Sequence, residues 1–191
     1  MTHSYEATII QLIKQDSMRL QALHCVQQLD FPQCYLAAGF VRNLAWDHLH
    51  QYKNPTPLND LDVIYFDPEE NDPEAFRKYE QLLNQKMPEM NWQVRNQARM
   101  HIRNGDEPYK NSLDAMSHWP EKETAVAVRK TGPDTYECLS SFGFESLFNL
   151  EVTLNPLRPR ELFEQRVASK QWLSLWPLLI IRQDNNPLLY K

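Results

Sequence analysis

Two stretches carry residue types suited to chemistry, YLAAGFVRN at 35–43 and NDLDVIYFD at 59–67. Asp60 and Asp62 stand two apart at the mouth of an apolar run that reads as a strand. Strand alternation sets both carboxylates on one face, roughly 6.6 Å apart along the backbone, and turns Leu61 and Val63 to the other. Two hard oxygen donors so disposed suit a cation such as Mg²⁺, which takes ligands at about 2.0–2.1 Å and completes its shell with phosphate oxygens and water. Asp67 has the opposite parity and does not join them. Gly39 sits between an apolar strand and a helix. Without a Cβ it lets an anion reach the backbone, where the first amides of the helix point outward with partial positive charge. Arg42, one turn further, adds a fork of donors, and Asn43 can hydrogen-bond beside it. Singly, each has a plainer reading, since acids at strand ends are usually solvated and a glycine after a strand is usually only a turn. Their combination in adjacent strand, turn, helix and strand units is what points to a site.

Those residues need elements to hold them. From Tyr5 to Leu29, Ile9, Ile10, Leu12, Ile13, Leu20, Leu23 and Val26 recur at helical spacing, predicting one amphipathic helix closed by Asp30, Phe31 and Pro32. CYLAA reads as a short buried strand, Gly39 as the tight turn, and about Phe40 to His50 as a helix. KNPTPLN is a loop because Pro55 and Pro57 cannot donate to a ladder, and DLDVIYFD is the next strand. PEENDPEAFRKYEQLLNQKM is a helix with Pro73 in its first turn. NWQVRNQARMH alternates along its whole length and predicts a third strand, with Gln93, Arg95, Gln97 and Arg99 on one face and Trp92, Val94, Asn96, Ala98 and Met100 on the other. Beyond a loop at 103–112, Leu113–His118 is a helical turn, and TAVAVRK with TYECLS forms a hairpin about Gly132 and Pro133. FESLFNLEVTLNP passes from a helical turn into a brief strand, and the remainder is helical with a break near Pro177. Trp172 and Trp176 read as core, Trp119 and Pro120 as a packed corner, RPRELFEQR as a solvated charged face, and Arg129 as a candidate to line a cleft. The order predicts an α+β fold, a mixed sheet with helices on one side, in a single domain over 1–191 with helical segments at 1–30 and 156–191.

Composition bounds the function. The chain has 191 residues, 20 basic and 25 acidic, for a net charge of −5 without a long block of either sign, which argues against an extended phosphate-tracking surface. The first segment lacks the basic start of a secretory signal, and WLSLWPLLII is too short to span a bilayer and is split by Pro177, so no membrane partner and a cytoplasmic location are expected. Cys25, Cys34 and Cys138 are odd in number and lack metal-binding spacing, and read as reduced thiols. Neither GxGxxG nor a Walker glycine-lysine signature is present.

AAGFVRN resembles the glycine turn of the DNA polymerase β-type nucleotidyltransferases, especially the G-G-x-V-R-D pattern of tRNA CCA-adding enzymes and bacterial poly(A) polymerases, and DLDV resembles their D-x-D strand. The ordered series AGFVRN, NDLDVIYFD, WQVRNQARMH and HWPEKETAVAVR resembles a bacterial family of small nucleotidyltransferase-like proteins from about residue 30 to the last helix. The resemblance implies a nucleotidyltransferase fold. It also implies Asp60 and Asp62 as catalytic ligands of Mg²⁺, or of Mn²⁺ in its place, and a nucleoside triphosphate held at Gly39, Phe40, Arg42 and Asn43, with Gln97 and Arg99 as further contacts. The reaction implied is transfer of a nucleotidyl group to an unidentified hydroxyl acceptor; a nucleotide sensor or protein-interaction module on the same fold is the alternative. RNA enters only through the similarity to tRNA-end and poly(A) enzymes, and the acidic net charge weighs against it. Ala38 replaces the first glycine of the pattern, Asn43 replaces its aspartate, and the gap from Gly39 to Asp60 is longer than in minimal members. Asn96 and Gln97 stand where a third carboxylate is expected, which leaves Asp114 and Glu151 as acids that could supply it from elsewhere.

Overall fold

The structure, a computed structural model, describes residues 4–183. The chain opens with two helices, α1 (Tyr5–Lys14) and α2 (Ser17–Gln27), in place of the single helix expected. The cause is Asp16, whose carboxylate accepts the Arg19 amide at 3.0 Å and caps a new helix, an option the apolar spacing does not reveal. Then follow β1 (Tyr35–Ala37), α3 (Gly39–Leu49), β2 (Leu61–Tyr65), α4 (Ala75–Lys86) and β3 (Trp92–Asn96). The third strand stops earlier than its alternation suggests, and α5 (Gln97–Asn104) begins at once. Asn96 is the switch: its side chain accepts the Ala98 amide at 3.1 Å and caps the helix.

The chain continues with α6 (Ser112–Met116), a 3₁₀ turn at Lys122–Thr124, β4 (Val126–Lys130), β5 (Tyr136–Ser140), α7 (Glu145–Phe148) and β6 (Glu151–Thr153). It proceeds to α8 (Arg160–Lys170), α9 (Trp172–Leu175) and β7 (Ile180–Arg182). The terminal segment is therefore not helical throughout. After Pro177 the β-branched pair Ile180 and Ile181 joins β6 in a two-stranded parallel sheet.

The main sheet has five strands in the order β3-β2-β1-β4-β5. Only β2 and β3 run parallel; the other pairs are antiparallel, and β4 with β5 forms the expected hairpin. One face, carrying Leu36, Leu61, Val63, Tyr65, Val94, Val126 and Val128, merges with Ile9, Ile13, Leu23, Phe40, Trp46 and Leu83 from the helices into one core. The other face carries Tyr35, Ala37, Ile64 and Ala127 and is covered in part by Met116 and Trp119. So the sheet is helical on one side and only partly roofed on the other, and the polar residues of β2 and β3 open into the uncovered part. Arg19, 1% exposed, ties α2 to this frame by donating Nε to the Phe40 carbonyl at 2.9 Å. Among the described residues no helix is long and apolar enough to cross a membrane. Cys34 and Cys138 are free, with burial pushing each thiol up to about 12.

Candidate functional site

A cavity of about 400 Å³ lies on the partly roofed face. Its floor is the end of β1, the start of α3 and the mouth of β2, which bring Ala38, Gly39, Arg42, Asn43, Asp60 and Asp62 together. Pairing fixes their relation: Ala37 sits opposite Asp62 across β1 and β2, and Asp62 sits opposite Gln93 across β2 and β3. Asp60 precedes β2, while the Leu61 amide is held by the Asn91 carbonyl at 2.9 Å.

The turn into α3 works differently from the expectation placed on Gly39. The strained residue is Ala38, with φ 55° and ψ −121°, a conformation L residues seldom adopt. It is over-determined: its amide donates to the Val126 carbonyl at 2.9 Å, and its own carbonyl accepts the Val41 and Arg42 amides at 3.1 and 2.9 Å. Gly39 is already helical, and its missing side chain keeps space open, since a Cβ there would stand 3.4 Å from Arg42 Nη2. No side chain caps α3. The Gly39 and Phe40 amides precede the first intrahelical bonds, and the start of α3 that carries them borders the cavity at Gly39, where such amides favour an anion.

Arg42 is 7% exposed, and its guanidinium is locked. Nη1 donates to Thr124 Oγ1 at 2.7 Å and Nη2 to Asn43 Oδ1 at 3.0 Å, while the plane lies over the rings of Trp46 and Trp172 at 5.1 and 4.6 Å. Nε is buried without a partner. Burial draws its pKa down to about 10, so it stays cationic at neutral pH. Asp62 is displaced in the opposite sense: burial, and then the charge of Asp60, push its carboxyl up to about 6. Neither acid forms an ion pair among the described residues. Two adjacent, partly desolvated carboxylates without a bound partner are a donor set that a divalent cation would relieve, and hard oxygen ligands match Mg²⁺ or Mn²⁺.

Of the other expected contacts, Gln97 lines the cavity from the first turn of α5. Arg99 does not. Once Asn96 has started the helix, the two-residue strand period no longer applies, and the Arg99 guanidinium donates to the Glu70 carbonyl. The Phe40 side chain is 1% exposed in the main core, so only its backbone is available to a ligand. Asp114, in the first turn of α6, donates its amide to the Asn111 cap at 2.8 Å and accepts the Lys110 amide at 2.9 Å, Glu151 pairs with Arg182 at 3.1 Å, and neither acid lines the cavity. Asn96 is spent on Glu70 and the Asp67 carbonyl, at 2.9 and 2.8 Å. Among the described residues no group of three or more His, Cys, Asp or Glu is placed to hold a metal ion. Arg129 pairs with Glu137 at 2.6 Å and lies away from the cavity.

A family profile described as nucleotidyltransferase matches residues 24–181. The chain belongs to the nucleotidyltransferase family. That match includes every residue that lines the cavity, from Ala38 to Trp176, and leaves out α1. A solved structure whose description reads that it "reveals a CCA-adding enzyme head domain", determined by NMR, is 30% identical to this chain. The similarity covers 92% of this chain and 95% of that one, with a TM-score of 0.81. No curated protein matches the chain. The mixed sheet and its helices are thus a nucleotidyltransferase fold, as the glycine turn and the D-x-D strand implied.

This nucleotidyltransferase chain also lines its cavity with residues that sequence reasoning passed over. Arg95, Trp119, Pro120 and Thr124 contribute, α8 and α9 bring Arg166, Lys170 and Trp172, and Trp176 follows α9. RPRELFEQR is accordingly not a simple solvated face: Arg158 grips Asp106, and Arg166 grips the buried Glu121. Asp47, 5% exposed on α3, organises the wall between them. It accepts the Thr56 amide and hydroxyl at 2.7 and 2.6 Å and the Trp176 indole at 2.8 Å, pinning the loop that leads to Asp60 against the C-terminal segment. The i, i+4 spacing of Arg166 and Lys170 was the available signal for α8, but a shared helix face does not say what it faces.

Proposed function

We propose that the protein moves a nucleoside monophosphate from a nucleoside triphosphate to a hydroxyl acceptor, with Mg²⁺ or Mn²⁺ as cofactor. One observation carries the reading: the unpaired acids Asp60 and Asp62 open into the same cavity as the uncapped start of α3 and the locked Arg42. Asp60 and Asp62 would hold the cation, which when bound offsets charge on the phosphate oxygens and on the leaving diphosphate. The Gly39 and Phe40 amides and Arg42 bind phosphate oxygens. Because Arg42 is fixed by Thr124, Asn43 and two tryptophans before any ligand arrives, little reorganisation accompanies binding. Gln93 and Gln97 offer amide groups, and Trp119 an apolar wall, to the sugar and base. The acceptor oxygen bonds to the α-phosphorus as the bridging oxygen departs with its electron pair on diphosphate, and the hydroxyl proton passes to water. Equilibrium titration with Mg²⁺ and each ribonucleoside triphosphate, comparing the parent with Asp60→Asn and Asp62→Asn, tests the site: binding is expected in the parent and lost in both variants, and equal binding in all three removes it.

A second reading, a nucleotide-binding sensor or interaction module, is favoured by the missing third carboxylate, since Asn96 is committed elsewhere and Asp114 and Glu151 lie off the cavity. Diphosphate release in the presence of candidate acceptors separates the two. Tight, Asp-dependent nucleotide binding with no release over a broad acceptor panel would select the sensor.

A further inference from the structure

We propose that α8 is a polyphosphate clamp: Arg166 and Lys170 hold the β- and γ-phosphates of the nucleotide, so that the site selects triphosphates over monophosphates. The inference rests on the nucleotide reading above and adds which chain segment measures the length of the phosphate tail. Arg166 and Lys170 stand four residues apart, on one face of α8, and both line the cavity that holds Arg42, Asp60 and Asp62. The protein as a whole is acidic, at −5, so two added cations converging here are not an effect of composition.

Each cation is prepared for an anion in a different way. Arg166 is anchored through Nε and Nη2, at 2.5 and 3.2 Å, to Glu121, which is fully buried. That pair sets the guanidinium plane and leaves Nη1 outside it. Lys170 makes no hydrogen bond or ion pair among the described residues, and its charge acts on Asp62. It is exposed at the last turn of α8, where a long side chain keeps its freedom until a ligand fixes it.

Registration with the phosphate turn comes from the residue after the bend. Gln171 takes φ 53° and ends α8, and Trp172 then lays its ring over the Arg42 guanidinium at 4.6 Å. Trp172, two residues beyond Lys170, thus packs on the same arginine that is proposed to receive the phosphates at α3. In the proposed pose a phosphate chain held near Asp62 and Arg42 extends to Lys170 and Arg166, which line the same cavity. In that pose the single phosphate of a monophosphate does not engage both cations.

The test is calorimetric titration, with Mg²⁺ present, of inorganic tripolyphosphate, the four ribonucleoside triphosphates and the matching monophosphates into the parent, Lys170→Gln and Lys170→Arg. An exposed lysine on a last turn can be changed without loss of the fold, which a thermal scan verifies. Charge-assisted hydrogen bonds to phosphate lead us to expect about tenfold weaker binding of tripolyphosphate and triphosphates by Lys170→Gln, with monophosphates within about twofold and Lys170→Arg close to the parent. Equal weakening of mono- and triphosphates, or no change in either, overturns the clamp. If Asp60→Asn and Asp62→Asn abolish triphosphate binding while Lys170→Gln does not weaken it, the clamp fails alone and the nucleotide site stands. A parent that binds none of these ligands overturns both.

Discussion

Strand β2 gives Leu61, Val63 and Tyr65 to one face of the sheet and Asp62 and Ile64 to the other. On the first face every apolar group is closed over by helices, and packing supplies stability. On the second, among the described residues, two acids stand without an ion pair beside a buried arginine whose Nε has no partner, and the roof is a cavity. Repulsion of that kind persists only because the alternate residues of the same strand are pinned from behind. Strand parity thus separates the packed side chains from the cavity-lining acids, one residue apart.

The largest expected effect comes from the packed face. Leu61→Ala should cost about 2–5 kcal/mol in a urea titration, the range for truncating a buried leucine, while the folded fraction still binds Mg²⁺. Loss of cation binding by molecules that remain folded would break the separation of the faces. Its neighbour has the opposite sign. The folded Asp62 carboxyl, raised to about 6 from 3.8, keeps a proton that the unfolded chain has already lost, so its contribution to stability declines as pH rises through that window. Asp62→Asn should therefore stabilise the cation-free protein at pH 7 by about 3 kcal/mol. The gap to the parent should open between about pH 4 and pH 6, and shrink when saturating Mg²⁺ stabilises only the parent; a thermal scan that shows Asp62→Asn less stable at pH 7 would refute the frustration argument.

Smaller effects sharpen the comparison. Asp47→Asn turns a donor toward the Thr56 amide and should cost about 1–2 kcal/mol, and because Thr56 leads to Asp60 it should also weaken Mg²⁺ binding, read by titration of the folded protein. Ala38→Gly relieves an unfavourable backbone conformation at the cost of a more flexible unfolded chain, for a net gain of about 1 kcal/mol by denaturation. Gly39→Ala should change stability least, by under about 1 kcal/mol, because helix propensity favours it and its Cβ makes contacts of ordinary length. The added methyl should nonetheless weaken phosphate binding, dividing binding from folding at one carbon atom.

How much of this was legible depended on whether the deciding interaction was local. The β1, α3 and β2 units were readable because alternation, a glycine and a proline-rich loop act over a few residues, and the acid pair followed from parity alone. The end of β3 was misread because WQVRNQARM satisfies a two-residue period to its end, while the Asn96 cap that breaks it competes on equal terms with strand pairing. The same competition at Asp16 split the first helix. The strained turn was assigned to Gly39 although Ala38 bears it, since the strain is sustained by Val126, a partner 88 residues away in sequence that no local pattern shows. The contribution of α8 was hidden for the same reason. Arg166 and Lys170 look like any solvated charges until the Glu121 pair and the packing of Trp172 bring their helix to the cavity wall.

Chain order gives the cavity a direction in time. During synthesis Asp60, Asp62 and the α3 turn leave the ribosome more than 100 residues before Lys170 and Trp172 do. A product truncated before α8 would carry the acids without the cationic wall, and is expected to attract metal ions but not long phosphate chains. On the proposed reading, competence for the full ligand arrives only once Trp172 packs on Arg42 and α8 closes that side of the cavity.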